Sequence, residues 1–223
     1  MRSQKDAGQH ESTVLAIAYK WTHKCSISCV FQVRIHGRGG QGVVTAAEIL
    51  SVAAFLEGMN AQAFPTFGSE RMGAPVTAFC RIDDKAIRSR EPIVAPDAVI
   101  IQDPTLLHGV PVFDGLSKSG FVLINSPKAF AELDLGVARS NTLPEHCYTL
   151  PASKIALEFV GRPIPNASLL GAFAAMTGRL KIESIAEAIM TKFPHGVGEK
   201  NVAAARAAYK LVNQGNHANA QAN

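Results

Sequence analysis

The sequence predicts an α/β domain: a mostly parallel or mixed sheet covered on both faces, with a helical C-terminal region. Three observations carry this. A strand runs straight into a glycine loop and then a helix between Val30 and Glu57. Brief apolar runs recur at Ala98–Gln102 and Phe121–Ile124, as in strands buried on both faces. The last third of the chain repeats its apolar residues at helical spacing.

Taken in order, residues 1–29 are polar and aperiodic and read as a poorly ordered extension outside the fold. Val30–His36 forms the first strand, with Val33 and Ile35 on one face. It passes into Gly37-Arg38-Gly39-Gly40-Gln41-Gly42. A helix from Val43 to Glu57 follows, closed by Gly58, whose missing side chain suits the left-handed residue after a helix end. Short strands are predicted at Gln62–Phe64 and Val76–Ile82, then in the two buried runs, and again at Cys147–Leu150. Asn166, after Pro165, is placed as the cap of a helix over 167–177 that Gly178 ends. Ile182, Ile185, Ala186, Ile189 and Phe193 mark another helix, and Val202, Ala205, Tyr209 and Val212 a last one. One domain, residues 30–214, is expected, with Gly161–Pro165 as its only linker-like stretch and 215–223 as a frayed tail.

Composition narrows the function. Hydrophobic residues make up 47% of the 223, enough for one substantial core, while only 18% are charged. So low a charge fits a sheet covered on both faces, or a surface shared with other subunits. A net charge of +4 with scattered basic residues and 7% aromatics gives no nucleic-acid footprint. Cys25, Cys29, Cys80 and Cys147 have neither zinc-site nor ferredoxin-cluster spacing and read as buried thiols of a reducing, cytoplasmic setting. No apolar run is long enough to span a bilayer, and no secretory signal is evident.

Gly37, Gly39 and Gly42 fit G-x-G-x-x-G, with Gly40 in addition. Such a loop lets backbone N–H groups face an anion at the helix N-terminus, where side chains would block it. The same glycines also suit a tight turn that only packs helix on strand, and both readings stay open at this point. A Rossmann-type site also needs an acid at the end of the second strand, whereas Glu57 precedes that strand; no Walker lysine is present either. The helix has one narrow polar stripe, Thr45, Glu48 and Ser51. Burial between the sheet and a second body, such as another subunit, is expected. In the constrained loop of residues 64–75, Glu70 could orient Arg71, and Arg71 could grip a carboxylate or phosphate; by these residues alone, an ordinary loop with a surface ion pair is the preferred reading. His36, His108, His146 and His195 lie apart with no nucleophile pattern, so no general acid or base is assigned. Asp97 and Asp103 are expected to cap and to bond loops, not to bind metal.

Together these segments resemble the gamma family of 2-oxoacid oxidoreductases, which includes the corresponding domain of pyruvate:ferredoxin oxidoreductase. The resemblance is carried by residues 37–47 and 63–76, then by Arg88-Ser89-Arg90, Pro96-Asp97 and Asp103-Pro104-Thr105-Leu106-Leu107. It continues in Asn166-Ala167-Ser168-Leu169-Leu170-Gly171-Ala172 and Glu199-Lys200-Asn201-Val202. It implies a three-layer α/β/α body and a share in the coenzyme A-dependent oxidative decarboxylation of a 2-oxoacid, with reduction of ferredoxin. It also implies that thiamine diphosphate and iron–sulfur clusters sit on alpha, beta and delta-type partners or a fused equivalent. The cofactor-binding candidates are Gly37, Gly39, Gly40, Gln41, Gly42, Thr45, Glu70 and Arg71. The sequence departs from some relatives in lacking a fused cluster domain and in carrying residues 1–29. Two competing readings are a stand-alone nucleotide-binding oxidoreductase and a non-catalytic interaction module of the same fold.

Overall fold

The computed structural model describes residues 30–66, 72–133, 135 and 142–221. The expected N-terminal extension, Cys25, Cys29, Glu70 and Arg71 lie outside them. Six strands are described: β1 (Phe31–Arg38), β2 (Asn60–Pro65), β3 (Pro75–Asp83), β4 (Ala98–Ile101), β5 (Phe121–Asn125) and β6 (Cys147–Leu150). They form one sheet in the order β2-β3-β1-β4-β5-β6. β3 runs antiparallel to both its neighbours, and the remaining pairings are parallel. The sheet is therefore mixed and mostly parallel. β4 is buried along its whole length, which is why its sequence is an unbroken apolar run.

Five α-helices are described: α1 (Val43–Leu56), α2 (Ala152–Val160), α3 (Asn166–Thr177), α4 (Ile182–Lys192) and α5 (Gly196–Gln221). Their apolar faces share one core with Val33, Ile35, Ala78, Cys80, Ile100 and Leu123, so the helices gather on one face of the sheet. The other face is covered by 3-10 turns at Pro104–His108 and Phe130–Glu132 and by connecting segments. There Val99, Ile101, Val122 and Ile124 meet Leu106, Val112 and Leu135. Alternation along each strand divides its side chains between the two layers.

Three sequence expectations change. The second body against α1 is this chain's own α4 and α3: Val43, Ala46, Ala47, Ile49, Leu50, Ala53 and Ala54 are buried intramolecularly. Only the far end of α1 keeps apolar surface, with Phe55 73% exposed. Asn166 is not the cap of α3 but its first residue. Pro165 stands at the cap, and Asn166 turns its Oδ1 to the N–H of Ala167 (2.7 Å). α2 was not foreseen, because nine residues after Pro151 give too few turns for a periodic signal.

α3 is the keystone of the helical layer. Ten of its twelve residues are buried, as expected of a helix apolar all round. It can sit so close to α5 because Gly171 has no side chain; a Cβ there would lie 1.9 Å from the Ala205 carbonyl oxygen.

Candidate functional site

The loop between β1 and α1 lies where β1 and β4, neighbours in the sheet, send their chains to opposite sides. In open α/β sheets, ligands bind at the carboxyl ends of strands beside such a point. Each candidate residue has a distinct place there. Gly37 is still within β1, paired with Val76, and its open side is filled by Val43, whose Cγ2 would stand 2.6 Å from a Cβ. Its role is close packing of strand and helix. Gly39 donates its N–H to Ala74 O (2.9 Å) and accepts from Gly73 N (3.2 Å), which ties the loop to the chain entering β3. Gly40 (φ 93°) and Gly42 (φ 74°) hold left-handed backbone that other residues seldom adopt.

Gly42 stands at the N-cap of α1, and no side chain caps that end; the first turn contains no acid. The first N–H returned to the helix is that of Ala46, to Gly42 O. The N–H groups of Gly42, Val43, Val44 and Thr45 therefore lack intrahelical partners and form the positive end of the helix dipole. They face a cavity of about 400 Å³ lined by Arg38, Gly39, Gly40, Thr45 and Met72 among others. A second cavity, of about 920 Å³, shares Gly40, Gly42 and Thr45 with the first. No acidic residue lines either cavity among the described residues.

Gln41 does something else. Its Oε1 accepts the Arg38 N–H (2.8 Å), and its Nε2 donates to Asp103 Oδ2 (2.9 Å). Arg38 Nε lies 3.2 Å from the same oxygen, and its Nη2 donates to Thr105 Oγ1 (2.7 Å). The other Asp103 oxygen accepts from Thr105 N (3.0 Å) and Oγ1 (2.6 Å). One carboxylate thus pins the glycine loop to the end of β4. Burial pushes the Asp103 carboxyl up. The hydrogen bonds from Thr105 and Gln41 and the Arg38 charge outweigh that, and hold it below the ordinary carboxylate value. By sequence, Asp103 takes capping and loop hydrogen bonds, and it does cap the 3-10 turn of Pro104–His108; that the loop it bonds is the glycine loop was not foreseen. Only the pairing of β1 with β4 brings the two segments together. Glu57, the acid nearest the second strand in sequence, accepts the Lys181 N–H (2.7 Å) at the start of α4.

His36, in β1 just before the loop, is 5% exposed. Its Nδ1 lies 3.3 Å from Thr77 Oγ1. Burial first, and the Arg34 charge second, push its pKa down to about 4. The unfolded chain takes up this proton more readily, so stability is full above about pH 6.5 and falls as pH drops toward 4. At pH 5 the loss from this group is about 2 kcal/mol. Melting midpoints measured at pH 7 and pH 5 should differ less for His36→Gln than for the wild type; an unchanged difference would rule His36 out as the source.

Among the described residues no group of three or more His, Cys, Asp or Glu could hold a metal ion. Burial pushes the Cys80 thiol up to about 12. Burial, aided by Glu145, pushes that of Cys147 up to about 11. No helix among the described residues is long and apolar enough to cross a membrane.

Fold and site together define an α/β chain with a glycine loop that leads into an uncapped helix start, and without the strand order of a dinucleotide-binding domain. β3 occupies the place beside β1 where that domain would put its acid-bearing second strand. The sequence profile of the pyruvate ferredoxin/flavodoxin oxidoreductase family matches residues 32–211. The chain is 51% identical over 181 residues to the gamma subunit common to the pyruvate/ketoisovalerate oxidoreductases of Pyrococcus furiosus, covering 81% of this chain and 96% of that one. It is 52% identical over 180 residues to the pyruvate synthase subunit PorC of Methanocaldococcus jannaschii, with the same coverage. Its fold is similar to that of the pyruvate oxidoreductase subunit PORC of Thermotoga maritima, with a TM-score of 0.68 at 37% identity over 81% of this chain and 96% of that one. The chain therefore belongs to the pyruvate ferredoxin/flavodoxin oxidoreductase family, as a gamma-type oxidoreductase subunit.

Proposed function

We propose that this chain works inside a complex that converts a 2-oxoacid and coenzyme A to acyl-CoA and carbon dioxide, passing the electrons to ferredoxin. Its own part is to hold coenzyme A by a phosphate at the glycine loop. One observation carries this reading: the uncapped first turn of α1 opens on a cavity through glycines that leave the approach clear. Gly39, Gly40, Gly42 and Thr45 form the cradle, Gln41 fixes its shape, and Gly37 packs behind it. Glu70 and Arg71 remain candidates from the sequence pattern alone. Thiamine diphosphate and the iron–sulfur clusters belong, on this reading, to alpha, beta and delta-type partners in a cytoplasmic complex. The Pyrococcus furiosus relative is described as common to two oxoacid oxidoreductases. A shared chain cannot be what separates their substrates, so we assign the oxoacid pocket to partner chains here too.

The test compares Gly40→Asp with Gly40→Asn in the assembled complex. Both residues tolerate positive φ better than most, and they differ by one charge. Asp should raise the KM for coenzyme A at least tenfold above that of Asn, because its carboxylate competes for the same N–H groups. Equal KM values would sink the cradle and leave the loop a packing turn.

A further inference from the structure

A third cavity, of about 490 Å³, opens where β4 and β5 end and α2 begins. Gln102 lines it and is 1% exposed, yet neither its Oε1 nor its Nε2 has a hydrogen-bond partner among the described residues. An amide buried bare is costly, so both atoms call for a partner from outside the fold. Two neighbouring polar groups are already spent. Asn125 gives its Nδ2 to Gln102 O and to Ser153 Oγ (both 2.8 Å), and its Oδ1 accepts the Ser153 N–H (3.1 Å). Asp103 is taken up by Gln41, Arg38 and Thr105. The groups left over are mostly donors. The Ser153 hydroxyl accepts from Asn125 but donates to no described residue, and Lys154 is exposed and forms no ion pair among them. Lys154 also stands in the first turn of α2, a nine-residue helix with no acid there, where the helix dipole disfavours a cation and favours an anion. Pro104, Pro127 and Pro151 fix the main chain around these groups, so the cavity is preformed.

We propose that this cavity is a docking point for another subunit of the complex, which inserts an acidic residue into it. The carboxylate of that residue accepts from Gln102 Nε2, the Ser153 hydroxyl and Lys154, and its main-chain N–H donates to Gln102 Oε1. The unspent donors select an anion. The unspent acceptor selects an anion with an N–H beside it, which a residue of a polypeptide has and a bare phosphate or oxoacid lacks. The inference rests on the reading that this chain works inside a complex, and it is independent of the coenzyme A cradle.

Lys154→Glu and Gln102→Leu test this in the assembled complex. Lys154→Glu puts an acid at a helix start, and Gln102→Leu removes an amide that has no bond to lose, so neither should lower the melting midpoint of the chain. Each should nevertheless raise the dissociation constant of the chain from the complex at least tenfold, read by exchange against a labelled copy. The effect of Lys154→Glu should shrink as salt rises. Wild-type retention of either variant, or a loss matched by a lower melt, overturns the proposal. Should a variant fail to fold, cross-linking of the wild-type complex decides. Carbodiimide, which joins an ammonium to a carboxylate in contact with it, should link Lys154 to an Asp or Glu of another subunit, read by peptide mass. The Lys192–Glu48 pair, at 2.6 Å, is the internal standard. A linked standard beside a Lys154 that stays free, or joins only its own chain, overturns the proposal. If no other chain is held at all, the reading of a complex fails first. A complex that forms and shows the Gly40→Asp effect, yet retains Lys154→Glu normally, sinks this inference alone.

Discussion

Replacing Gly171 by alanine should lower the stability of the protein by about 3 kcal/mol or more, the upper end of over-packing effects. The added Cβ would lie 1.9 Å from the Ala205 carbonyl oxygen and 2.6 Å from its carbon, both backbone atoms of α5. No rotamer change can relieve that contact. The two helices must separate, opening gaps around Phe173, Leu170 and Ala208, all fully buried. For a chain of this size the melting midpoint should fall by roughly 6–12 °C. Gly215 in α5 provides the opposite case, since a Cβ there meets nothing within 4 Å. Gly215→Ala should stabilise slightly, by up to about 1 kcal/mol, through helix propensity alone. Calorimetry on the two variants checks both signs. A Gly171→Ala melt within a degree or two of the wild type would mean that α3 and α5 do not meet as described.

The second large effect is at Asp103. Asp103→Ala strips four donors of their acceptor: Gln41 Nε2, Arg38 Nε, and the N–H and hydroxyl of Thr105. With Gln41 and Arg38 released, the glycine loop loses its anchor to β4. The KM for coenzyme A should rise at least tenfold, with a stability loss of about 1–3 kcal/mol. Asp103→Asn should separate these effects. Its oxygen can still serve Thr105, but its amide then faces two other donors, so the KM should rise while stability falls less. The pH dependence has a definite sign. The folded carboxyl lies below its ordinary value, so its stabilising contribution is complete above about pH 4 and disappears as pH falls through the lower folded value. Asp103→Ala should flatten that acid limb. Unchanged KM values in both variants would show that the loop keeps its shape without the carboxylate.

The residues of this network show why part of the site was legible and part was not. The glycine loop announces itself because its residues are consecutive, and because the strand before it and the helix after it each have a recognisable period. Asp103 and Gln41 are 62 positions apart. Nothing local to either residue reports their contact, which exists because β1 and β4 pair in parallel with His36 opposite Ile101. The same holds for Arg162, His195 and Lys200. Each is an ordinary surface residue by sequence; His195 and Lys200 stand together at the start of α5, and Arg162 meets them only because the α2–α3 connection lines the same groove. Gly37 fits the phosphate-loop spacing, and the structure adds what spacing does not report, that its neighbour Val43 fills its open side.

The burial of α1 shows the same divide. Its narrow polar stripe correctly required cover on more than one side, because an apolar helix surface left in water is costly. Which body supplies the cover is not a local property, and here it is the chain's own α3 and α4, which return to the helix more than a hundred positions later. By itself, then, the sequence determined the α/β class, the strand–glycine loop–helix unit, the end of α1 at Gly58 and the family. All of these rest on residues close together in the chain or in a fixed order along it. Tertiary structure alone decided that β3 takes the place of a dinucleotide-binding strand, that Asp103 holds the loop, and that Arg162 shares a groove with His195 and Lys200. Those depend on pairing and packing between distant segments, whose energies come from the contacts that folding creates.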